Sequence, residues 1–187
     1  FKMAQTGGTS RGCNNRDYLD LPMDYDTLAK AGTALGSGAL LIMDDSHCIV
    51  DICKCFMQFF KSESCGKCTP CREGTHHLYN LLDKITKGEG TPKDIDTIIL
   101  LAETMTQTAL CGLGQAAPNP VLTTLHFYRD EYNAHIRDKV CPAGVCPMHN
   151  GTETKEAKAA KGTGVSDSKE ARGEAKGTEA KGTGVSD

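Results

Sequence analysis

The sequence predicts an α+β chain: a small strand-bearing segment, a bundle of four helices and a polar tail. Three observations point there. Short apolar runs lie among glycines in residues 1–47, apolar residues recur at helical spacing over 49–136, and composition changes sharply at Gly151. The boundaries that follow are 1–47, 48–138, a cysteine-bearing extension at 139–150, and a tail at 151–187.

Residues 1–47 are rich in Gly and turn formers, and runs such as Ala39–Met43 suit buried strands. The fragment Gly7-Gly8-Thr9-Ser10-Arg11-Gly12 is followed by no helical pattern, so it offers phosphate no helix N-terminus and reads as a turn. The first helix follows from Ile49, Ile52, Cys53, Phe56, Phe59 and Phe60. The second carries Leu78, Leu81, Leu82 and Ile85 and stops near Gly88, a natural residue just past a helix end. The third opens on Thr91-Pro92-Lys93-Asp94, a capping hydroxyl before proline with an acid three residues on. Its apolar face is Ile95, Ile98, Ile99, Ala102 and Met105. The fourth opens at Asn119-Pro120 and runs through Val121, Leu125, Tyr128, Tyr132 and Ile136. Short connections favour antiparallel neighbours, hence an up-down-up-down four-helix bundle. The tail has only Val165 and Val185 as large aliphatic residues and repeats AKGTGVSD at a period of 20. It cannot bury enough surface to offset the entropy of ordering, so a disordered, solvated segment is expected.

Composition excludes several functions. The net charge of −3 over 187 residues argues against nucleic acid as the main partner, because phosphate binding draws on clustered Lys and Arg. No run of about 18 apolar residues exists to span a membrane. No Ser/His/Asp or paired-carboxylate arrangement emerges, so hydrolytic catalysis has no support. The outlier is cysteine: ten, all within the first 146 residues. The chain begins at Phe1 rather than Met, and a fragment of a longer chain is expected.

The informative segment is Ser62–Gly74, SESCGKCTPCREG. Cys65, Cys68 and Cys71 bring three thiolates together on a tight loop, and Cys111 follows 40 positions later in LCGLGQAAPNP. In the expected bundle, the junctions holding the triplet and Cys111 fall at the same end. Disulfides would suit an oxidising compartment and a core-poor fold. Zinc usually takes two separated Cys pairs, or Cys and His pairs. A C-x2-C-x2-C triplet with a distant fourth Cys favours a [4Fe–4S] cluster instead. Gly66, Gly112 and Gly114 would let backbone N–H groups approach its sulfurs. Lys67 and Arg72 are either stabilisers of the reduced cluster or ordinary solvated charge. His76 and His77 read as helix-surface residues, Cys53 as a small buried hydrophobe, and Cys13 and Cys55 as unpartnered.

With ESCGKCTPCREG and LCGLGQAAPNPVLTTLHFYRDEY in view, the chain closely resembles the NADH-binding, flavin-carrying subunit of respiratory complex I. It resembles still more the beta subunit of NAD-dependent, electron-bifurcating [FeFe] hydrogenases and formate dehydrogenases. The resemblance spans about residues 1–150. It implies that 1–47 form a β-grasp (soluble-ligand-binding) domain and that 49–136 form the cluster-holding four-helix domain. It also implies that Cys65, Cys68, Cys71 and Cys111 hold the [4Fe–4S] cluster taking electrons from flavin. In the family, FMN and NADH bind a larger preceding domain with its own glycine-rich loop. This chain has no such loop, so FMN and NAD are expected only through a missing domain or a partner, and NADH oxidation by the chain alone is not expected.

Cys141 and Cys146 lie in KVCPAGVCPMH, beyond the fourth helix. Bundle geometry places them near Cys48 and His135, at the end opposite the cluster. Three thiolates and one imidazole make a closed tetrahedral zinc set. The rivals are His149 in place of His135, a Cys141–Cys146 disulfide, or free thiols. CPAGVC also resembles the hydrogenase-type segment that precedes a two-cluster ferredoxin domain, whose place the polar tail takes here. The functional expectation is an electron relay within a multi-subunit complex of iron–sulfur and flavin subunits, in the cytoplasm or a reducing organelle matrix. The alternative is a zinc-stabilised helical scaffold without redox activity.

Overall fold

Three short strands open the chain in a computed structural model that describes residues 1–148. The tail expected at 151–187, and His149 as a rival ligand, lie outside the described residues. The strands β1 (Met3–Thr6), β2 (Cys13–Asn14) and β3 (Leu40–Met43) form an antiparallel sheet in the order β2-β1-β3. Ala4 stands opposite Asn14 on one side and Ile42 on the other. The glycine-rich fragment is the turn between β1 and β2. Gly7 sits there at φ +76°, where any Cβ would collide with the carbonyl oxygen of Ala34. Between β2 and β3 the chain makes a 3-10 turn at Arg16–Tyr18 and the short helix α1 (Tyr25–Lys30). The Asp24 side chain caps α1 by accepting from the Thr27 N–H at 2.7 Å.

The run at Ala39–Met43 does form a strand, but not a buried one. Leu40, Leu41 and Ile42 are 52%, 43% and 60% exposed, and only Met43 is buried. β3 is an outer strand of the sheet, whereas β2, the outer strand on the other side, lies against the helices. Apolar composition specified the strand without specifying what would cover it.

The helical part comprises α2 (Ile49–Glu63), α3 (Thr69–Thr86), α4 (Pro92–Thr108), α5 (Gly112–Ala116), α6 (Asn119–Phe127) and α7 (Arg129–Asn133). α7 continues into a π-helical turn at Ala134–Asp138. The mixture of helices with a small antiparallel sheet is the expected α+β class. α2 packs on α3 and α3 on α4, and α6 covers both α2 and β2. Their shared core includes Ile49, Cys53, Met57 and Phe60 of α2, Leu78, Leu82 and Ile85 of α3, and Ile98 and Met105 of α4. Val121, Leu125, Tyr132 and Ile136 join it, together with Met3, Cys13 and Met43 of the sheet. Full burial of such a side chain is worth about 1.5–3 kcal/mol relative to exposure. Phe59, placed on the apolar face from spacing, is 46% exposed, while its neighbours Val50 and Met57 are fully buried. The buried stripe of α2 is therefore rotated away from Phe59.

The ends of α3 and α4 follow local chemistry. Gly88 takes φ +79° just beyond the Lys87 cap. Asp94 reaches back to accept from the Thr91 N–H at 2.6 Å, completing a capping box. The expected fourth helix is instead divided. Tyr128 leaves helical geometry at φ −125°, ψ 33°, and its hydroxyl donates to the Lys2 carbonyl at 2.7 Å. A contact across 126 residues accompanies the break.

Candidate metal centres

The junction between α2 and α3 brings the first three thiols together. Ser64 ends α2 in extended geometry at ψ 123°, Gly66 turns at φ +73°, and Cys68 is the N-cap of α3 with proline in the first turn. Arg72 reaches back from α3, and its Nη1 donates to the Gly66 carbonyl at 2.8 Å, bracing the loop. Arg72 also pairs with Glu73 at 2.9 Å. Cys111 comes from the junction after α4, as the N-cap of α5. Cys65, Cys68, Cys71 and Cys111 line one cavity of about 130 Å³, together with Glu63, Ser64, Lys67 and Leu113.

Cys71 is buried, Cys68 half-buried, and Cys65 and Cys111 are exposed. Backbone N–H groups of Leu110 and Cys71 face the Cys68 sulfur and hold its thiol below its usual range. The Leu110 contact couples the triplet to the Cys111 segment. Gly114 is required by packing: a Cβ there would stand 2.9 Å from Cys71 Cβ and 2.7 Å from Ala109 Cβ. Gly112 has open space where its Cβ would be, so its lack of a side chain serves no described contact. The four thiols supply one sulfur each, an all-sulfur donor set that suits iron–sulfur ligation, with Glu63 the carboxylate on the same lining.

The second group lies at the other end of α2. Fifteen helical residues separate the two groups, about 22 Å at 1.5 Å per residue. The potential ligand atoms of Cys48, His135, Cys141 and Cys146 all lie within 4.8 Å of one another, and all four residues are buried. Cys48 is the N-cap of α2, and His135 sits in the π-helical turn after α7. Lys139, in left-handed geometry at φ 56°, turns the chain back toward Cys141 and Cys146. His135 Nε2 lies 3.3 Å from Cys48 Sγ and 3.4 Å from Cys146 Sγ, and the two sulfurs are 3.5 Å apart. Tetrahedral zinc with bonds of about 2.0–2.3 Å places its ligand atoms about 3.5–3.8 Å apart.

His135 Nδ1 is 2.7 Å from the Glu131 carbonyl oxygen, to which it donates, leaving Nε2 turned to the sulfurs. The Cys146 S–H bond holds the Cys48 thiol down at about 4 against the effect of burial, with His135 assisting. The same bond and burial push Cys146 up. Burial lowers the His135 pKa, but Cys48 and the Glu131 carbonyl outweigh it and lift the imidazole to about 9.

All ten cysteines are free thiols. Cys53 is buried and bonds Thr124 Oγ1 at 3.0 Å, as suits a packing residue. Cys13 is buried too, its backbone N–H donating to Thr123 Oγ1 at 2.9 Å, and Cys55 is exposed. His76 and His77 are exposed on α3. Two residues escaped notice in the sequence. Ser64 contacts Cys71, and Glu131 both orients His135 and accepts from the Ile49 N–H at 3.3 Å. A hydroxyl directly before the first cysteine was the only sequence signal for either.

Two thiol-rich groups on a helical scaffold define a protein of the metal-binding class. Residues 51–135 match the family described as the NADH-ubiquinone oxidoreductase-F iron–sulfur binding region, a 4Fe–4S domain. Those residues carry the iron–sulfur binding region that this family describes, and the cofactor it indicates is a [4Fe–4S] cluster. The chain is 49% identical over 146 residues to the NADP-reducing hydrogenase subunit HndC of Solidesulfovibrio fructosivorans, covering 78% of this chain and 30% of that protein. It is 39% identical over 142 residues to the F subunit of the NADH-quinone oxidoreductase of Mycobacterium bovis, covering 76% and 32%. Among solved structures, an NAD+-reducing [NiFe]-hydrogenase in the H2-reduced state matches with a TM-score of 0.66 and 28% identity, covering 73% of this chain and 23% of that one. The chain thus spans about a third of the length of these curated relatives. Among the described residues, no helix is long and apolar enough to cross a membrane.

Proposed function

We propose that this chain is the iron–sulfur relay portion of an NAD(P)-linked oxidoreductase complex, with Cys65, Cys68, Cys71 and Cys111 holding its [4Fe–4S] cluster. The supporting observation is the convergence of four thiols, from two separate helix junctions, on one cavity. When bound, the cluster supplies a one-electron donor and acceptor. The protein's part is to fix four thiolates, aim backbone N–H groups at them and leave the Cys65 and Cys111 edge open. Electrons pass between a flavin on another domain or partner, where FMN and NAD are also bound, and further iron–sulfur subunits. On this reading residues 1–47 act as a β-grasp-like unit and 48–138 as a four-helix cluster domain. The setting is the cytoplasm or a reducing organelle matrix. Anaerobic purification should give about four irons per chain and broad absorption near 400 nm that bleaches with dithionite. A colourless chain carrying zinc alone would overturn this and favour the scaffold reading.

The second group supports a structural zinc held by Cys48, His135, Cys141 and Cys146. What supports it is four buried ligand atoms within 4.8 Å of one another and an Nδ1 bond to the Glu131 carbonyl that turns Nε2 toward the sulfurs. It fastens residues 139–148 to the start of α2. Metal analysis of a Cys141→Ser/Cys146→Ser chain tests it: zinc should disappear while iron remains, and unchanged zinc would dispose of the assignment.

A further inference from the structure

We infer that Ser64 is a positioning residue that sets the redox balance of the iron–sulfur site by donating its hydroxyl hydrogen to Cys71 Sγ. The inference rests on the cluster assignment above and deepens it. Ser64 Oγ lies 3.3 Å from Cys71 Sγ. The Gly66 N–H donates to the same Oγ at 3.3 Å. That bond engages an oxygen lone pair and leaves the hydroxyl hydrogen free to face the sulfur. Cysteine bound to iron is a thiolate without a proton, so the hydrogen bond then runs from Ser64 to Cys71.

Neighbouring hydroxyls behave differently. Ser62 donates to the Gln58 carbonyl at 3.0 Å, Thr75 to Cys71 O at 2.8 Å and Thr104 to Leu100 O at 2.7 Å, each back to its own helix. Ser64 has left α2 at ψ 123°, so its hydroxyl is released from that habit. Its position is also braced: the Ser64 N–H donates to Phe60 O at 3.0 Å, and Arg72 holds the Gly66 carbonyl. Cys71 is the only buried thiol of the four, at 4% exposure, and its bond to Ser64 is partly buried, where water screens it less than at the exposed sulfurs. Reduction adds one negative charge, spread partly over the sulfurs, and a donor at sulfur favours the reduced form.

The test is an anaerobic redox titration, followed by electron paramagnetic resonance, of the full chain loaded with iron and sulfide. It compares the unaltered protein with Ser64→Ala, Ser64→Val and Ser64→Thr. Iron content of the unaltered chain tests the cluster assignment separately. Ser64→Ala and Ser64→Val should be about threefold to tenfold harder to reduce, a fall of up to about 59 mV for one electron. Ser64→Thr, which restores the donor in the shape of valine, should hold the original potential. If Ser64→Ala takes up no iron while Ser64→Thr loads and titrates normally, the hydroxyl is again required. A Ser64→Ala potential equal to that of the unaltered chain, or a Ser64→Thr chain behaving like Ser64→Ala, overturns the inference.

Discussion

Gly114 shows how finely the thiol site depends on single residues. It packs against the one buried cysteine of the four, and a methyl group would meet both Cys71 and Ala109 below 3.0 Å. Backbone, not a flexible side-chain tip, must then move. Gly114→Ala should cost about 1–3 kcal/mol by overpacking and lower iron uptake, readable as iron per chain and denaturation midpoint. Gly112→Ala, facing open space, should leave iron uptake unchanged. The cysteine positions themselves were legible, because C-x2-C-x2-C fixes three sulfurs by spacing alone. The burial order among them was not, since it depends on where α5 lies. Ser64 was illegible for a similar reason: its role turns on the ψ angle at the end of α2.

Helix ends carry the next set of consequences. The Thr91–Asp94 box opens α4, and Asp94 also accepts from Lys84 Nζ at 2.8 Å. Burial alone would raise the Asp94 pKa, but the bonds from Lys84 and Thr91 outweigh it and hold the carboxyl below its usual range. A depressed folded-state pKa stabilises the protein above the unfolded carboxylate pKa of about 4, and that stabilisation fades as pH falls through the folded value. Asp94→Asn should therefore cost about 1 kcal/mol near neutrality. The difference from the unaltered chain should shrink in acid, as urea unfolding at neutral and at strongly acid pH would show. This box was readable because its residues lie within one helical turn. The division of the fourth helix at Tyr128 was not, because the bond that accompanies it ends on Lys2. Likewise β3 could be read as a strand from its composition, while its exposure depended on which side of the sheet the helices cover.

At the scale of the whole molecule, the sheet and helices are tied by polar bonds spanning most of the described sequence. Asn119 Nδ2 donates to Ser10 O at 3.0 Å, and Lys2 pairs with Glu131 at 2.6 Å with both side chains largely buried. Burial pushes the Tyr128 phenol up to about 12, so it remains a donor through the ordinary pH range. Tyr128→Phe should cost about 1 kcal/mol. Sheet and helices should still melt in one transition, seen as coincident near- and far-ultraviolet circular dichroism curves. Glu131 links three parts at once: its carboxylate meets Lys2 and the start of α2, and its carbonyl orients His135. Glu131→Ala, which removes the carboxylate but keeps that carbonyl, should lower the denaturation midpoint while zinc content per chain stays unchanged. The helices' apolar periodicity foretold a common core. It could not foretell that one carboxylate would join the sheet to α2, since that link depends on side-chain reach across the folded chain.

The outer strand β3 has a practical consequence. Leu40, Leu41 and Ile42 present apolar side chains to water beside a backbone edge suited to pairing with another strand. In concentrated stocks, such an edge favours slow self-adhesion and a shortened storage life. A charge at Ile42, the most exposed of the three, should improve shelf stability while leaving the thiol groups untouched.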